Sequence, residues 1–272
     1  MDTKIINNQP STIKSYLRKV IASSYLIKTL SIRELKVKYS KTFFGIGWVL
    51  LQPLLVVTVY TLFFKNFIKL NTQEIPYPQF VLTGLVLWYL FTGIISKCTY
   101  ALIESQDLLY KISFPRIIVL FSKCMTVIIE CFAMLVIAFI VLLVTNQNIG
   151  LYSLTAVFYF IQTLLLSFSI GILCSILVLK YRDLAHAIPF VINFGIWLTP
   201  VFYSIEIIPA QYRDLLLYVN PLALAIESLR AAIFYNQSVS PSMWVLFAVS
   251  CFTLCISFYI FVKFEKRITE NL

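Results

Sequence analysis

Few side chains in this 272-residue chain have the types and spacing that chemistry needs. The six cysteines include no C-x-x-C pair and His186 is the single histidine, so the ligand spacing of a metal or redox site is missing. The acids are scattered, without paired carboxylates or a nucleophile–base arrangement. The seven glycines include no G-x-x-x-x-G-K-S/T motif, so any ATP that the protein uses must be hydrolysed by another subunit.

One acid stands inside an apolar stretch. Glu130 lies in the predicted third membrane span, where an unpaired carboxylate costs roughly 2.5–3.5 kcal/mol. It either binds or relays a coupling ion, or it is protonated or hydrogen-bonded against a neighbouring helix, and we favour the second, structural role. His186 falls in a short predicted loop, where a surface role is more common than a catalytic one.

Aromatic side chains are abundant, with 16 Tyr, 23 Phe and 4 Trp. Part of this set must form the belt at the membrane–water interfaces. Rings that face a conduit would instead offer their apolar faces to the C–H side of sugar rings. Six aromatic residues are the candidates for such a channel lining: Tyr60, Phe63, Trp88, Tyr89, Trp197 and Tyr203.

Membrane helices have to position these side chains. A transmembrane helix needs roughly 20 mainly apolar residues to cross about 30 Å of hydrocarbon, and five uncharged stretches pass that test. A polar turn at 145–150 divides the third, which is too long for one span. The stretches are apolar all round, which excludes a soluble bundle. We predict an all-α integral membrane protein with six spans, at about 42–64, 78–98, 117–144, 151–179, 186–204 and 241–263.

The basic residues predict the orientation. Loops that stay in the cytoplasm carry the excess of Lys and Arg, and 18 of the 22 fall on one side of the predicted topology. Both termini are therefore expected in the cytoplasm. The charges flank spans instead of forming one folded face, which argues against nucleic-acid binding. The first forty residues are polar and basic, so no cleaved signal peptide is expected.

The spans form a predicted domain at 42–263, between a cytoplasmic arm at 1–41 and a cytoplasmic tail at 264–272. Within the arm, a basic stretch at 32–41 is expected to lie on the inner leaflet, with Glu34 four residues before Lys38. Apolar residues earlier in the arm recur at helical spacing and predict an interfacial amphipathic helix: Ile13, Tyr16, Leu17, Val20 and Ile21.

Two other segments are not expected to span. Segment 102–112 is too short and too polar, and we interpret it as a short surface helix. Segment 207–230 is apolar in two pieces, broken at Pro209 and Pro221, which predicts a re-entrant or interfacial helical hairpin on the outer side. The charged residues of this hairpin are expected to face water or one another: Arg213, Asp214, Glu227 and Arg230.

Several ordered pieces resemble one family, the transmembrane subunits of ABC-2 type polysaccharide exporters, and most of all the O-antigen export permeases. The resemblance covers nearly everything from about residue 30. The pieces are LKVKYSKTFFGIGW at 35–48, QP at 52–53, KISFPR at 111–116, YRDL at 181–184, TPVFY at 199–203 and NPL at 220–222.

The resemblance implies a homodimer of this chain bound to two ATP-binding subunits. ATP and Mg would lie on those subunits, and this chain would carry no cofactor. The complex would export O-antigen, a glycan linked to undecaprenyl diphosphate, across the cytoplasmic membrane through a pore between the protomers. Glu130 inherits no role from the resemblance.

The resemblance also implies roles for three sets of residues. One set would couple the chain to the ATPase: Ile103, Glu104, Asp107, Leu108, Tyr110 and Lys111. A second would meet the lipid diphosphate at the inner leaflet, where each opposed charge is worth about 1 kcal/mol: Arg33, Lys36, Lys38 and Lys41. A third would form a periplasmic gate: Ile208, Tyr212, Leu216 and Leu222.

Other functions stay open at this point. The same family includes exporters of capsular polysaccharide and of teichoic acid, and no residue pattern separates these from O-antigen exporters. A membrane-embedded transferase acting on lipid-linked sugars is a rival from another class. A permease of the same fold that moves small drugs or lipids is a third alternative.

Overall fold

The computed structural model describes residues 13–63, 75–112, 114–144 and 150–271, and this part of the chain is built from α-helices joined by turns and short 3-10 segments. Residues 1–12 of the predicted arm, Lys65 and Lys69 of an outer loop and most of the polar turn at 145–150 lie outside it. The α-helices are α1 Ile13–Ala22, α2 Ser24–Tyr39, α3 Trp48–Tyr60, α4 Tyr77–Glu104, α5 Gln106–Lys111, α6 Ile117–Val144, α7 Ala156–Lys180, α8 Leu184–Gly195, α9 Ala210–Val219, α10 Pro221–Phe234 and α11 Pro241–Asn271.

Helices long and apolar enough to cross a membrane confirm the predicted fold class. A sixth candidate is the pair formed by α9 and α10, which bend by 108° at a short break. The chain is therefore an all-α integral membrane protein with five or six candidate spans. Five single helices pass the test of length and composition: Gly45–Phe63, Tyr77–Glu104, Ile117–Val144, Leu151–Lys180 and Pro241–Glu265.

The core forms around α4, which packs against α6 and α7. Small residues let these helices approach closely, as is common between helices in membranes. A Cβ atom at Gly171 of α7 would lie 2.8 Å from the Cβ of Cys98 on α4, and one at Gly93 of α4 would lie 2.7 Å from Val127 on α6. Any larger side chain at either glycine would force the helices apart.

Buried hydroxyl and amide groups join α7 to α11. Gln162 donates through Nε2 to Ser250 Oγ at 3.3 Å, and the hydroxyls of Ser169 and Thr253 lie 3.3 Å apart. Such interhelical hydrogen bonds contribute roughly 0.6–2 kcal/mol each within a membrane. They position α11, whose outer face is largely exposed in the single chain.

Three element boundaries differ from the prediction. The α-helix within the predicted fifth span, 186–204, is only Leu184–Gly195; tight turns continue it to Thr199, and Pro200 ends them. The predicted surface helix at 102–112 is divided, because α4 continues to Glu104 and α5 is a separate helix. The predicted tail continues α11 as far as Asn271.

The arm forms α1 and α2, and α1 is not simply laid on the surface. Tyr16 and Val20 are buried, and the Tyr16 ring meets Phe258 of α11 edge-on at 5.9 Å. Leu17 and Ile21 remain exposed. The apolar side of α1 is thus divided between α11 and the surroundings, as an interfacial helix requires.

Candidate functional site

Helix α5 lies at one end of the bundle, which we call the α5 end. Ser105 breaks the helical path, with φ −109° and ψ 17°, and α5 then runs for six residues to an extended residue at Ile112. Tyr110 is 62% exposed. Of the predicted coupling residues, Asp107, Leu108, Tyr110 and Lys111 lie on α5, whereas Ile103 and Glu104 belong to the last turn of α4.

A buried lysine joins three helices at the α5 end. Lys123 of α6 is 8% exposed, and its Nζ lies 2.9 Å from Oε2 of Glu104 and 3.0 Å from Oε1 of Glu34 on α2. Glu104 directly precedes the break that starts α5. One ion-pair cluster therefore joins the end of α4, directly before α5, to α2 and α6.

The sequence spacing indicated a different partner for Glu34. The i,i+4 spacing of Glu34 and Lys38 suits a pair along α2, but Glu34 pairs with Lys123 and Lys38 with Glu130. The reason is tertiary packing: α2 lies against α6, and the charges that meet across this contact replace an i,i+4 pair worth only a few tenths of a kcal/mol. From the sequence, Lys123 was only one of the basic residues that flank a predicted span.

Glu130 has two donors from α2. Lys38 Nζ lies 2.6 Å from Glu130 Oε1, and the Tyr39 hydroxyl donates to the same oxygen at 2.5 Å. Burial, followed by the hydrogen bond and charge of Glu130, raises the pKa of Tyr39 above its ordinary value, so the phenol stays protonated and donates. The hydrogen-bonded alternative for Glu130 is the one that the structure displays.

The other residues of the predicted inner-leaflet set lie nearby. Arg33 and Lys36 are exposed on α2, and Lys41 is exposed just after it. Lys38 is exposed as well, but its charge is shared with Glu130. Contact of this set with a lipid diphosphate stays a prediction.

The C-terminal part of α11 docks at the same end. Arg116, just before α6, donates its backbone N–H to Oε1 of Glu265 at 2.8 Å and its Nη1 to the Glu265 carbonyl oxygen at 3.3 Å. Burial and the charge of Glu265 raise the pKa of Tyr16 on α1, so its hydroxyl remains neutral. α1, α11 and the α5–α6 connection therefore meet at one point.

Arg230 of α10 is the most deeply buried charge among the described residues. It is 2% exposed, and its guanidinium lies 3.4 Å from the centre of the Phe80 ring. Nη1 lies 2.8 Å from Oε1 of Glu227 and 2.6 Å from the Pro200 carbonyl oxygen. Nη2 donates to the carbonyl oxygens of Phe80 and Val201 at 3.0 and 2.9 Å. One side chain thus ties α10 to α4 and to the turn after α8.

This arrangement differs from the prediction, in which Arg230 faces water or the other charges of the hairpin. Half of that expectation holds, since Arg230 faces Glu227. A signal was present: the pair is spaced i,i+3 inside an otherwise apolar helix, and charges in such a place are paired and buried. Gly84 of α4 makes the room, because a Cβ there would lie 2.9 Å from Nη2 of Arg230.

Asn220 joins the two helices of the bent pair to the turn after α8. Its Oδ1 accepts from the backbone N–H groups of Leu222 and Ala223 at 3.1 Å, which caps α10. Its Nδ2 donates to the Leu198 carbonyl oxygen at 3.1 Å and to Thr199 Oγ1 at 2.9 Å. Two of the motifs that carried the family resemblance, at 199–203 and 220–222, therefore contact each other.

The predicted gate residues are spread over this region. Ile208 precedes α9 and is partly buried, Tyr212 and Leu216 lie on α9, and Leu222 is buried on α10 at 2% exposure. The turn that leads into the bent pair α9–α10 lies at the end of the bundle where α4 begins, because the Tyr77 hydroxyl donates to the Phe202 carbonyl oxygen at 3.0 Å. Gating by these residues stays a prediction.

The six predicted channel aromatics occupy different surroundings. Tyr60 stacks on Phe202 with ring centres 3.8 Å apart, and Tyr203 donates to the Trp197 carbonyl oxygen at 3.1 Å. Trp88 is buried at 6% exposure and Tyr89 is partly buried, whereas Phe63 and Trp197 are 58% and 61% exposed. In this single chain the last two offer the most open ring surface of the six.

These features define a multi-pass α-helical membrane protein, with a short exposed helix beside the ion pairs of a buried lysine at one end and a broken helix pair at the other. The sequence profile of the ABC-2 type transporter family matches residues 25–234, and the chain belongs to this family.

Relatives align over nearly their whole length. An "O-antigen export system permease protein RfbA" of Klebsiella pneumoniae is 28% identical over 91% of this chain and 95% of that protein, and one of Myxococcus xanthus has the same identity and coverage. A "Polysialic acid transport protein KpsM" of Escherichia coli is 19% identical over 86% of this chain and 92% of that protein. The chain is therefore similar to permeases of O-antigen export systems and, at lower identity, to a polysialic acid transport protein.

Proposed function

We propose that this chain is the permease subunit of an ATP-driven exporter of a lipid-linked polysaccharide, O-antigen on undecaprenyl diphosphate, in the cytoplasmic membrane. The observation that carries the proposal is its end-to-end similarity to permeases of O-antigen export systems. The chain acts as a homodimer with both termini in the cytoplasm. Two separate subunits bind and hydrolyse ATP with Mg, because this chain has no P-loop motif.

The α5 end supports this role. An exposed six-residue helix is suited to docking into a partner, and the Lys123 cluster connects its base to α2 and α6. Closure of the ATPase subunits would push α5, and the ion pairs would carry the displacement into the spans.

Capsule export is the second candidate, because the similarity extends to a polysialic acid transport protein at lower identity. Deleting the gene tests the proposal. In the deletion strain, lipid-linked O-antigen should remain in the cytoplasm, and deletion of the ATPase gene should give the same result. Loss of capsule with normal O-antigen would favour the second candidate. Surface polymer persisting in a strain without a paralogue would contradict both.

Two rivals have their own readouts. A transferase would turn over a lipid-linked sugar with the purified chain alone, without an ATPase partner. A permease for small drugs or lipids would keep its activity when the glycan genes are removed. Co-purification followed by mass spectrometry of the partner and of bound lipid separates all of these cases.

We predict that a change of charge on α5 uncouples export. Asp107→Lys or Tyr110→Asp should reduce surface polymer at least about tenfold, because both side chains are exposed where the ATPase would dock. Thermal unfolding of the purified variants should stay unchanged, since neither side chain is buried. The matched control is Asp183→Lys, an exposed acid in the connection between α7 and α8, which should export normally. Normal export with both α5 residues changed would show that α5 is not the ATPase contact.

A further inference from the structure

One side of α4 combines partial exposure with polar side chains. Much of the helix is buried, and Leu90, Ile94 and Ala101 are each 0% exposed. Five polar residues that are only partly buried recur at helical spacing along its second half: Tyr89, Thr92, Ser96, Lys97 and Tyr100. We call these five residues the α4 polar face. Polar residues within a membrane span mark a face turned toward water, substrate or another chain.

Lys97 lies at the same depth as the buried Lys123. Each lysine directly precedes a cysteine, and the sulfur atoms of Cys98 and Cys124 lie 3.2 Å apart across the α4–α6 contact. The two lysines therefore enter the bundle at one level, on neighbouring helices. Lys123 has two carboxylates beside it.

Lys97 differs from Lys123 in its charge balance. No carboxylate of the described residues lies within 4 Å of its Nζ, and three acids on α2, α4 and α6 are paired with other lysines. Glu34 and Glu104 pair with Lys123, and Glu130 pairs with Lys38. A lysine within a span costs roughly 2.5–3.5 kcal/mol and is by default a mark of function. An anion from outside the chain is the missing counter-charge.

The position of Lys97 argues against a lysine that merely reaches the membrane surface. Seven residues, or about 10 Å of helix, separate it from Glu104 at the end of α4. Side chains on a helix lean toward its N-terminus, so the stem of Lys97 starts away from that end. Tyr100 holds the edge of the face in place, because its hydroxyl donates to the Ala185 carbonyl oxygen at the start of α8 at 2.5 Å.

We infer that Lys97 is a binding site for the phosphate groups of a lipid headgroup on the α4 polar face, and that this headgroup is the diphosphate of the exported lipid. The second half of the inference rests on the proposed function. An ammonium is a compact point charge with three donors, which suits the many orientations of a phosphate in transit. Lys97 is partly buried on a core helix, whereas Arg33, Lys36 and Lys41 are exposed.

Binding of farnesyl diphosphate to the purified full-length chain tests the site. The chain is placed in phosphatidylcholine nanodiscs, and bound probe is measured by native mass spectrometry. Lys97→Gln should weaken binding about tenfold or more, because a charge-assisted contact is lost. Lys97→Arg should stay within about threefold of the unchanged chain. The matched control is Lys180→Gln, which removes an equal charge at the exposed end of α7 and should bind normally.

Two results would overturn the site: unchanged binding in Lys97→Gln, or an equal loss in Lys180→Gln, which would indicate a general effect of charge. Competition separates the two sources of phosphate. If phosphatidylglycerol displaces farnesyl diphosphate when the two are present at equal mole fractions, the assignment to the exported lipid is wrong. Failure of the proposed function appears elsewhere, as surface polymer that persists after gene deletion, and leaves the binding readout untouched.

Discussion

Replacing Arg230 by leucine should lower the free energy of unfolding by about 3–5 kcal/mol. The change leaves Glu227 inside the protein without its cation, and three carbonyl oxygens, those of Phe80, Pro200 and Val201, lose their donor. Thermal unfolding in detergent measures the effect, and a loss of this size should lower the midpoint by roughly 10 °C in a chain of this length.

Arg213→Leu is the matched control for this variant. Arg213 also donates to backbone carbonyl oxygens, those of Ile208 and Glu206, but it is only partly buried and no carboxylate of the described residues lies within ion-pair distance of it. It should cost about 1 kcal/mol. Adding Glu227→Gln to Arg230→Leu should restore part of the stability, because it removes the uncompensated charge. Equal losses from the two arginine variants would refute the role that we assign to Arg230.

Replacing Lys123 by methionine should have the second largest effect, about 1–3 kcal/mol. The change leaves Glu34 and Glu104 side by side without a cation, and two like charges repel. The cost is smaller than at Arg230 because the two glutamates are 31% and 49% exposed and can be rehydrated. Export should fall as well, since α5 loses its connection to α2 and α6.

A triple variant checks the Lys123 cluster. Combining Lys123→Met with Glu34→Gln and Glu104→Gln should recover most of the unfolding free energy, because no unpaired charge remains. Export should remain low in this combined variant, since the ion pairs that link the three helices are absent. Recovery of export together with stability would show that the cluster serves only the fold.

Most of the membrane helices could be predicted from the lengths of the uncharged stretches in the sequence. The starts of α3, α6 and α11 lie within about six residues of the predicted spans, because the length of hydrocarbon to be crossed sets the length of an apolar run. The fifth span was predicted too long. Apolar composition continues through 196–203, but Pro200 and the hydrogen bonds of Asn220 make these residues a turn.

Partners within the site could not be predicted from the sequence. Spacing along one helix identifies local pairs such as Glu34 with Lys38, but the packing of α2 on α6 decides which charges meet. The burial of Arg230 depends on a glycine 146 positions earlier, at Gly84, which no local pattern reveals. The proposed role of Lys97 likewise rests on the pairing of acids on α2, on α6 and at the far end of α4 itself.

The amide of Asn220 limits which residues can replace it. Serine, threonine and aspartate all cap helices well, so the start of α10 alone would tolerate any of them. The second contact, in which Nδ2 donates to Leu198 and Thr199, needs a donor that a carboxylate lacks. Aspartate matches the shape of asparagine and retains only half of its hydrogen bonding. The residue type at position 220 is therefore restricted twice, once by the start of α10 and once by a turn that lies about twenty residues earlier in the chain.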